Sequence, residues 1–292
     1  MKIEDLIGNT PLVEYKGISP NPNVRIFGKL EGNNPGGSVK DRPAYGMIKG
    51  ALDRKEIKIG DRLIEATSGN TGIALAMISA VLGVKMTLVM PDSATRERIL
   101  AMEAYGAKVL LTPAEKTIEY SRTFAAEKVE SEGYFMLDQF SNPDNYKQHY
   151  KSTGPEIWQD TEGSITHFVS AMGTTGTIMG VSRYLKEQDN SIQIIGAQPT
   201  DGSKIPGIRR WSPEFLPKIF EPDRVDRIID VSEEEATMVT RRLANEEGIL
   251  AGMSSGGSLA VALKIANEIQ SGTIVHIVCD RGDRYLSSNL FG

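Results

Sequence analysis

The sequence predicts an α/β protein in which mainly parallel sheets are covered by helices. Short apolar runs alternate with helical patterns along the chain, and this alternation is typical of parallel strands joined by crossover helices. The predicted strands are residues 24–30, 63–65, 86–90, 108–111, 134–137, 166–169, 192–198, 225–231 and 273–279. The chain has 292 residues, and a single hydrophobic core rarely exceeds about 250 to 300 residues. We therefore predict two lobes.

Local signals predict the bounds of one helix and one long loop. The run SEEE at 232–235 is a capping box, which predicts a helix that continues to about Glu247 and ends at Gly248. Residues 200–223 are rich in Pro, Gly and Arg and predict a long surface loop, of a length that is usually functional or disordered. No linker or repeat marks a domain boundary.

One lysine has an unusual context. The run NNPGGSVKDR at 33–42 places Lys40 after a glycine-rich turn and at the start of an amphipathic helix. A partly desolvated lysine has a lowered pKa, and its free amine can attack a carbonyl group to form a Schiff base. The alternative is a solvated lysine at a helix start, which is the common state of lysine. Two further loops favour the chemical role.

The first loop is EATSGNTG at 65–72, which follows a predicted strand and precedes the apolar run 73–82. A helix cap needs only one Ser, Thr or Asn side chain. Here four hydrogen-bonding side chains occupy five positions at a helix N-terminus, where the helix dipole favours anions. The loop therefore predicts a binding site for a carboxylate. Its four side chains are Thr67, Ser68, Asn70 and Thr71.

The second loop is SAMGTTGT at 170–177, between the predicted strand 166–169 and a helical pattern at 178–185. Its glycines allow backbone N–H groups to converge on an anion, and the hydroxyls of Thr174, Thr175 and Thr177 add donors. The spacing matches neither the dinucleotide fingerprint nor the Walker loop, so it does not support NAD or ATP binding. Taken alone, the loop could also be a plain strand-to-helix connection.

A Schiff-base lysine with a carboxylate loop and a phosphate loop describes a pyridoxal 5'-phosphate (PLP) enzyme acting on an amino acid. Further motifs are IGNTPLV at 7–13, DQFSNP at 138–143, TGPEIW at 153–158 and GMSSGG at 252–257. With them the chain resembles the fold-type II PLP enzymes, which are tryptophan synthase β-like, and within these the cysteine synthases (O-acetylserine sulfhydrylases). The resemblance implies a smaller mobile lobe at 46–147 that carries the carboxylate loop, and a larger PLP-binding lobe of residues 1–45 and 148–292.

The resemblance also implies a role for each site residue. Lys40 would bind PLP and then act as the general base at Cα. Ser254 would meet the pyridine nitrogen, where a neutral hydroxyl suits elimination better than transamination; a helix cap is its alternative role. The implied cofactor-binding residues are Lys40, Asn70, Gly173, Thr174, Thr175, Gly176, Thr177 and Ser254. The implied substrate-binding residues are Thr67, Ser68, Gly69, Thr71, Gln139, Gly207, Arg209 and Arg210.

The implied reaction is a β-replacement that makes L-cysteine from O-acetyl-L-serine and sulfide through an α-aminoacrylate intermediate. The runs IPGIRRW at 205–211 and CDRGDR at 279–284 resemble the B type of the family, which is associated with thiosulfate as a second sulfur donor and S-sulfocysteine as its product. Arg209 and Arg210 would suit such an anion, unless they are ordinary solvated charges. The alternatives are a sulfhydrylase preferring O-phosphoserine, a serine or threonine dehydratase, and a non-catalytic PLP-binding regulator.

Composition argues against several other classes of protein. The formal net charge is −5, with 33 basic and 38 acidic residues interspersed, which gives no electrostatic reason to expect nucleic acid or a membrane surface. The N-terminus lacks the pattern of a secretory signal, so we expect a cytoplasmic protein. Cys279 is the only cysteine, and His149, His167 and His276 show no metal-ligand spacing, so we expect neither a disulfide nor a metal. The family resemblance implies a homodimer.

Overall fold

The computed structural model describes the chain from Met1 to Gly292, apart from the side chain of Thr117. Its strands are β1 Leu12–Glu14, β2 Val24–Leu30, β3 Arg62–Ala66, β4 Lys85–Pro91, β5 Lys108–Thr112, β6 Phe135–Met136, β7 His167–Ala171, β8 Gln193–Pro199, β9 Arg227–Val231 and β10 Gly272–Val278. Its α-helices are α1 Asp41–Asp53, α2 Asn70–Leu82, α3 Arg96–Ala104, α4 Thr117–Glu132, α5 Pro143–Lys151, α6 Thr153–Asp160, α7 Gly176–Gln188, α8 Glu233–Glu247 and α9 Met253–Glu268.

The chain divides into two compact units. The first comprises Met1–Ile7 and Lys40–Asn145, and the second comprises Gly8–Val39 and Tyr146–Gly292. We expected residues 1–45 to belong to the larger lobe and residues 46–147 to the smaller one, whereas residues 1–7 group with the first unit and residues 146–147 with the second. Residues 40–45 also group with the first unit. The reason is that α1 is continuous and buries Ala44 and Met47 in the core of that unit, so a boundary at residue 46 would cut the helix.

The first unit is built on a parallel sheet with strand order β5-β4-β3-β6. Helices α1 and α2 pack with Leu63 and Leu88 in one core cluster, whereas Ala125 of α4 packs with Ile64 and Val89 in another. The sequence of α2 contains no charged residue, which is typical of a helix that is buried nearly all round. Because parallel strands end at the same edge of a sheet, the segments after β3 and β6 lie at one edge.

The second unit is built on a sheet with strand order β1-β2-β10-β7-β8-β9, in which every pairing is parallel except that of β1 with β2. Helices α8 and α9 contribute Val239 and Leu259 to one core cluster. Helices α6 and α7 contribute Ile157 and Ile178 to another. The loops after β7 and β10 therefore leave a sheet that is covered by helices on both faces.

The predicted fold class is confirmed. Within the described chain, each of the nine predicted strands is found with bounds that differ by two residues or fewer, whereas β1 was missed. Strand β1 has only three residues and none of them is fully buried, so its sequence gives no periodic signal. The capping box is also confirmed, since Ser232 Oγ accepts a hydrogen bond from the Glu235 amide and Gly248 ends α8 with φ 70°. Residues 200–223 contain two short 3-10 turns, Pro213–Phe215 and Pro222–Arg224.

Candidate active site

The connection from β7 to α7, residues 172–175, has the features of an anion site and is called the phosphate loop below. Thr175 adopts φ 69°, a left-handed conformation that residues with a Cβ atom rarely adopt. Its side chain is 3% exposed, and among the described residues its Oγ1 atom has no hydrogen-bond partner. A buried hydroxyl without a partner is costly. At the start of a helix an anion oxygen can accept its hydrogen bond, so this loop fits a phosphate group.

The phosphate loop is held by the segment 207–211, which packs directly on it. A Cβ atom at Gly173 would lie 2.5 Å from the carbonyl oxygen of Gly207, so only glycine fits there. Trp211 Nε1 donates a hydrogen bond to the Gly173 carbonyl at 2.8 Å, and the Arg209 amide donates to the Met172 carbonyl at 2.9 Å. The shape of the loop is therefore set by contacts to its own backbone.

A buried histidine stands behind the first turn of α7. His149 Nε2 lies 3.3 Å from Thr177 Oγ1, and its Nδ1 lies 2.8 Å from Thr153 Oγ1. In the loop itself, Thr174 Oγ1 accepts a hydrogen bond from the Gly176 amide at 3.4 Å. Sequence reasoning gave His149 no role, because nothing in its local sequence indicates that it reaches a residue 28 positions away.

Ser254 lies in the first turn of α9 and is buried. The N-cap of this helix is Gly252, so Ser254 is not the cap that was its alternative role. A Cβ atom at Gly207 would lie 3.6 Å from Ser254 Oγ, which places this serine beside the segment that holds the phosphate loop. The neighbouring Ser255 Oγ accepts a hydrogen bond from the Cys279 amide at 2.9 Å, joining α9 to the end of β10.

A buried polar cluster of Tyr15, Ser258 and His276 fixes α9 to the sheet. His276 Nδ1 lies 2.9 Å from Ser258 Oγ, and its Nε2 lies 2.7 Å from the Tyr15 hydroxyl oxygen. Burial lowers the pKa of His276 to about 3, so the imidazole is neutral at pH 7. The cluster supports the helix that carries Ser254 without placing a charge beneath it.

The connection from β3 to α2, residues 67–69, is called the carboxylate loop below. Thr67 and Thr71 are buried, and Gly69 is the N-cap of α2. A Cβ atom at Gly69 would meet no atom within 4 Å, so the space beside the loop is open. Thr71 Oγ1 donates a hydrogen bond to Gln139 Oε1 at 3.0 Å. The structure therefore brings Gln139 to the loop, although its sequence context gave no such signal. Ser68 lies in the same connection, and Asn70 is the first residue of α2.

The turn that carries Gln139 is held from β3 by a buried glutamate. Asp138 adopts φ 51°, and its amide donates a hydrogen bond to Glu65 Oε2 at 3.0 Å. Asn145 Nδ2 donates to the Gln139 carbonyl at 2.7 Å. The pKa of Glu65 is raised to about 8, mainly by burial and also by the Asp138 carboxylate, although the amides of Asp138 and Gln139 oppose the shift. Sequence reasoning did not find Glu65.

Lys40 immediately precedes α1 and is partly buried. Its carbonyl accepts a hydrogen bond from the Ala44 amide at 3.0 Å. The preceding residue, Val39, donates its amide hydrogen to the Cys279 carbonyl at 2.8 Å. The lysine is thus placed at a helix start, as its sequence context predicts, and the chain just before it is tied to the end of β10.

The two arginines of the segment 207–211 differ. Arg210 Nε lies 3.1 Å from Asp201 Oδ1, and Arg210 also pairs with Asp230. The Arg209 guanidinium lies 5.9 Å from the Trp211 ring centroid and is exposed. Among the described side chains it has no carboxylate within 4.0 Å. Both arginines line a groove of about 690 Å³ formed by residues 199–212 and Phe215. Of the two, only Arg210 is paired with carboxylates among the described side chains.

The described side chains contain no group of three His, Cys, Asp or Glu residues placed to hold a metal ion.

The chain matches the family described as pyridoxal-phosphate dependent enzyme over residues 3–280. It is 58% identical over 290 residues to cysteine synthase B of Pseudomonas aeruginosa, covering 99% of this chain and 97% of that protein. It is 54% identical over 290 residues to cysteine synthase B of Escherichia coli, covering 99% and 96%.

Solved structures show the same likeness. The crystal structure of cysteine synthase from Entamoeba histolytica superposes with a TM-score of 0.94 at 38% identity, covering 99% of this chain and 90% of that one. That of O-ureido-L-serine synthase also gives 0.94, at 36% identity, covering 99% and 94%.

Proposed function

This chain belongs to the pyridoxal-phosphate dependent enzyme family, and we propose that it is a cysteine synthase of the B type. It makes L-cysteine from O-acetyl-L-serine, in which sulfide replaces acetate on Cβ. The observation that carries the cofactor assignment is the buried Thr175 hydroxyl, which has no partner among the described residues and lies where α7 begins. The reaction assignment is supported by 54–58% identity to cysteine synthases B over nearly the whole chain.

Three residues divide the chemistry of the cofactor side. When bound, PLP supplies a ring that withdraws electrons from Cα of an attached amino acid. Lys40 holds the cofactor and, once its amine is free, accepts the proton from Cα. Asn70 would donate a hydrogen bond to the ring oxygen. Ser254 would offer the ring nitrogen a neutral hydroxyl, which would stabilise positive charge less than a carboxylate does and so favour loss of a leaving group from Cβ.

The carboxylate loop orients the substrate. Thr67 and Ser68 donate their hydroxyl hydrogens to the substrate carboxylate. Thr71 contributes its backbone N–H, together with the other free N–H groups at the start of α2. Gln139 accepts the hydrogen bond of Thr71 at 3.0 Å and keeps its own amide hydrogens for the substrate. Gly69 leaves room for the ligand, because a side chain there would fill the open space beside the loop. These contacts select an amino acid with a free carboxylate.

We further propose that thiosulfate is a second sulfur donor, giving S-sulfocysteine. Thiosulfate is a doubly charged anion and needs positive charge near the site entrance. Arg209 is exposed and has no carboxylate nearby among the described side chains, whereas Arg210 already pairs with Asp201 and Asp230. We therefore assign the anion contact to Arg209, and we assign to Arg210 the task of holding the segment that begins at Gly207.

The described residues include no helix that is long and apolar enough to cross a membrane. We propose separately that the enzyme is a cytoplasmic homodimer that acts on small molecules, as the family resemblance implies. Light scattering of the purified protein tests the dimer, and cell fractionation tests the location.

Lys40→Ala provides the first test of the function. The unmodified protein should show the visible absorption band of lysine-bound PLP, and without sulfide it should release about one acetate per site from O-acetylserine. The variant should lose both, because no other residue is assigned to hold the cofactor covalently. A normal band in the variant would overturn the role of Lys40.

Competing substrates separate the alternatives. Faster turnover of O-phosphoserine than of O-acetylserine would favour the O-phosphoserine enzyme, and ammonia release from serine or threonine would favour a dehydratase. PLP binding with no turnover of any of these substrates would favour a regulator. The cysteine synthase assignment requires sulfide-dependent formation of cysteine from O-acetylserine.

A further inference from the structure

We propose that Glu65 is a positioning residue of the substrate-carboxylate site, and that its buried carboxyl group makes amino-acid binding depend on pH. The inference rests on the proposed function, because the site concerned is the one assigned to the carboxylate of O-acetylserine. Glu65 does not touch the ligand in this scheme. It acts through the turn that carries Gln139.

The contacts run in sequence from Glu65 to the carboxylate loop. Glu65 Oε2 accepts the Asp138 amide hydrogen at 3.0 Å, and the Gln139 amide also hydrogen-bonds to the carboxyl. Gln139 Oε1 then accepts the hydroxyl hydrogen of Thr71 at 3.0 Å. Because Asp138 has φ 51°, the turn requires such an outside contact to stay in its conformation. Glu65 provides that contact.

The surroundings of Glu65 keep it uncharged near pH 7. Glu65 is 3% exposed, and burial is the main cause that raises its pKa to about 8. The charged groups that act on it are Asp138, which raises the pKa, and Arg122 of α4, which lowers it. Its register partner on β4 is Leu88, and α2 has no ionisable residue. Near pH 7 the substrate carboxylate therefore meets no opposing charge from Glu65.

Ionisation of Glu65 above pH 8 places a negative charge two residues before Thr67. That charge disfavours a second carboxylate at the same loop, so amino-acid affinity should fall. Linkage requires the reverse effect as well, because a bound carboxylate must favour the protonated form of Glu65. Binding of an amino acid and protonation of Glu65 are thus coupled.

The test compares L-serine binding to the holoenzyme in the parent and in Glu65→Gln, from pH 6.5 to 9.5, by visible absorbance. Gln keeps the size and an acceptor oxygen but cannot ionise. The ratio of the parent Kd to the variant Kd should be constant below pH 7. It should rise about fivefold by pH 9, towards a tenfold limit at higher pH, if serine binding raises the pKa of Glu65 by about one unit. The ionisation of the serine amine affects the parent Kd and the variant Kd equally, so it cancels in their ratio. The control Glu130→Gln, on the exposed side of α4, should give a constant ratio.

Two further measurements separate positioning from mere stability. Glu65→Ala should accelerate hydrogen exchange at the amides of Asp138 and Gln139 and weaken L-serine at every pH, while PLP affinity stays unchanged. In the parent, L-serinamide keeps the amine but lacks the carboxylate. After correction for the ionisation of its amine, the affinity of L-serinamide should not fall above pH 8, whereas that of L-serine should. This comparison tests the inference without a variant if Glu65→Gln does not fold.

A Kd ratio that does not change with pH, or unchanged exchange at residues 138 and 139 in Glu65→Ala, would overturn the inference. So would the absence of L-serine binding by the parent, since the carboxylate site would then not exist. Failure of cysteine synthesis alone is a different result. It would overturn the proposed function, while a pH-dependent ratio for serine would still support the role of Glu65.

Discussion

The phosphate loop and the carboxylate loop have the same local architecture but are held in different ways. Each follows a parallel strand and ends in the first turn of a helix. The phosphate loop is fixed by contacts to its own backbone, since Gly173 packs against the Gly207 carbonyl and accepts a hydrogen bond from the Trp211 indole. The carboxylate loop has open space at Gly69 and is connected through side chains, from Thr71 to Gln139 and from that turn to Glu65.

The difference in how the two loops are held fits the time for which each ligand stays bound. A cofactor that remains bound benefits from a loop whose shape is set in advance, because a preformed site loses little conformational freedom on binding. A substrate that enters and leaves in every cycle needs moderate affinity, and side-chain contacts allow that affinity to be adjusted. We infer that changes at the phosphate loop should alter mainly the affinity for PLP, and changes at the carboxylate loop mainly the affinity for the amino acid.

The largest expected effect comes from a matched pair of glycine substitutions. Gly173→Ala forces a Cβ atom to 2.5 Å from the Gly207 carbonyl oxygen, and because backbone moves less easily than a side chain we expect a cost of about 3 kcal/mol. PLP affinity should fall about a hundredfold. Gly69→Ala meets open space in an extended conformation and should keep PLP affinity.

The measurement for this pair is the dissociation rate of PLP together with the Kd for L-serine. Gly69→Ala should weaken serine only, because its methyl group occupies the ligand's space. Equal loss of PLP in both variants would show that the two loops are not held differently.

A second comparison sets Glu65, which holds the turn that carries Gln139, against His276, which supports the helix that carries Ser254. Both are neutral at pH 7, with the pKa of Glu65 raised to about 8 and that of His276 lowered to about 3. Between pH 4.5 and 8 the unfolded chain binds fewer protons at Glu65 than the folded chain, so Glu65 makes stability fall as pH rises. Between pH 3 and 6.5 the unfolded chain binds more protons at His276 than the folded chain, so His276 makes stability rise as pH rises. Each slope is about 1.4 kcal/mol per pH unit.

From pH 5 to 6.5 the two contributions therefore cancel in the parent. Glu65→Gln removes one of them, so its free energy of unfolding should rise by about 2 kcal/mol over this range relative to the parent. Burial also lowers the pKa of His167, which adds in the same direction as His276. Urea unfolding of both holoenzymes at several pH values checks this. Parallel stability curves would contradict it.

The strands and both loops could be predicted because their signals are local. Nine apolar runs identify their strands, and hydroxyl-rich segments after β3 and β7 predict two anion sites. The contacts behind the loops could not be predicted, since they depend on packing between distant segments. Gln139 meets Thr71 across 68 positions of sequence, and the Asp138 amide meets Glu65 across 73. No short-range pattern carries that information.

The same limit applies to charge and to the unit boundary. Arg209 and Arg210 are adjacent and identical in sequence, yet only the folded chain brings Asp201 and Asp230 to one of them. The boundary of the first unit at Lys40 depends on which core receives α1. A pattern of residue types cannot decide between two cores that are both apolar.

Thr177→Ala tests the helix turn that follows the phosphate loop, by removing a hydroxyl instead of adding a methyl group. A hydrogen bond to a charged group contributes about 1.5 to 3 kcal/mol. We expect the lower figure, because Thr177 Oγ1 also lies 3.3 Å from His149 Nε2 and shares its hydrogen bonding. PLP should therefore bind about tenfold more weakly, while the Kd for L-serine at saturating PLP stays unchanged. Unchanged PLP dissociation would reduce residues 172–177 to a plain connection.

The smallest expected effect concerns the sulfur donor. It compares the two arginines of the segment 207–211, which holds the phosphate loop. Arg209→Ala should lower kcat/KM with thiosulfate by a few fold relative to sulfide, since steering by one exposed charge acts mainly on the doubly charged ligand and weakens with salt. Arg209→Lys should restore most of the ratio because it keeps the charge.

Arg210→Ala is the matched control for this prediction. It breaks the pairs with Asp201 and Asp230, so it should disturb the segment and lower both efficiencies together without changing their ratio. The two efficiencies are measured at fixed, low ionic strength. If the parent does not use thiosulfate, or if the ratio changes in Arg210→Ala and not in Arg209→Ala, the assignment of the anion contact to Arg209 is wrong, although cysteine synthesis from sulfide would be unaffected by that result.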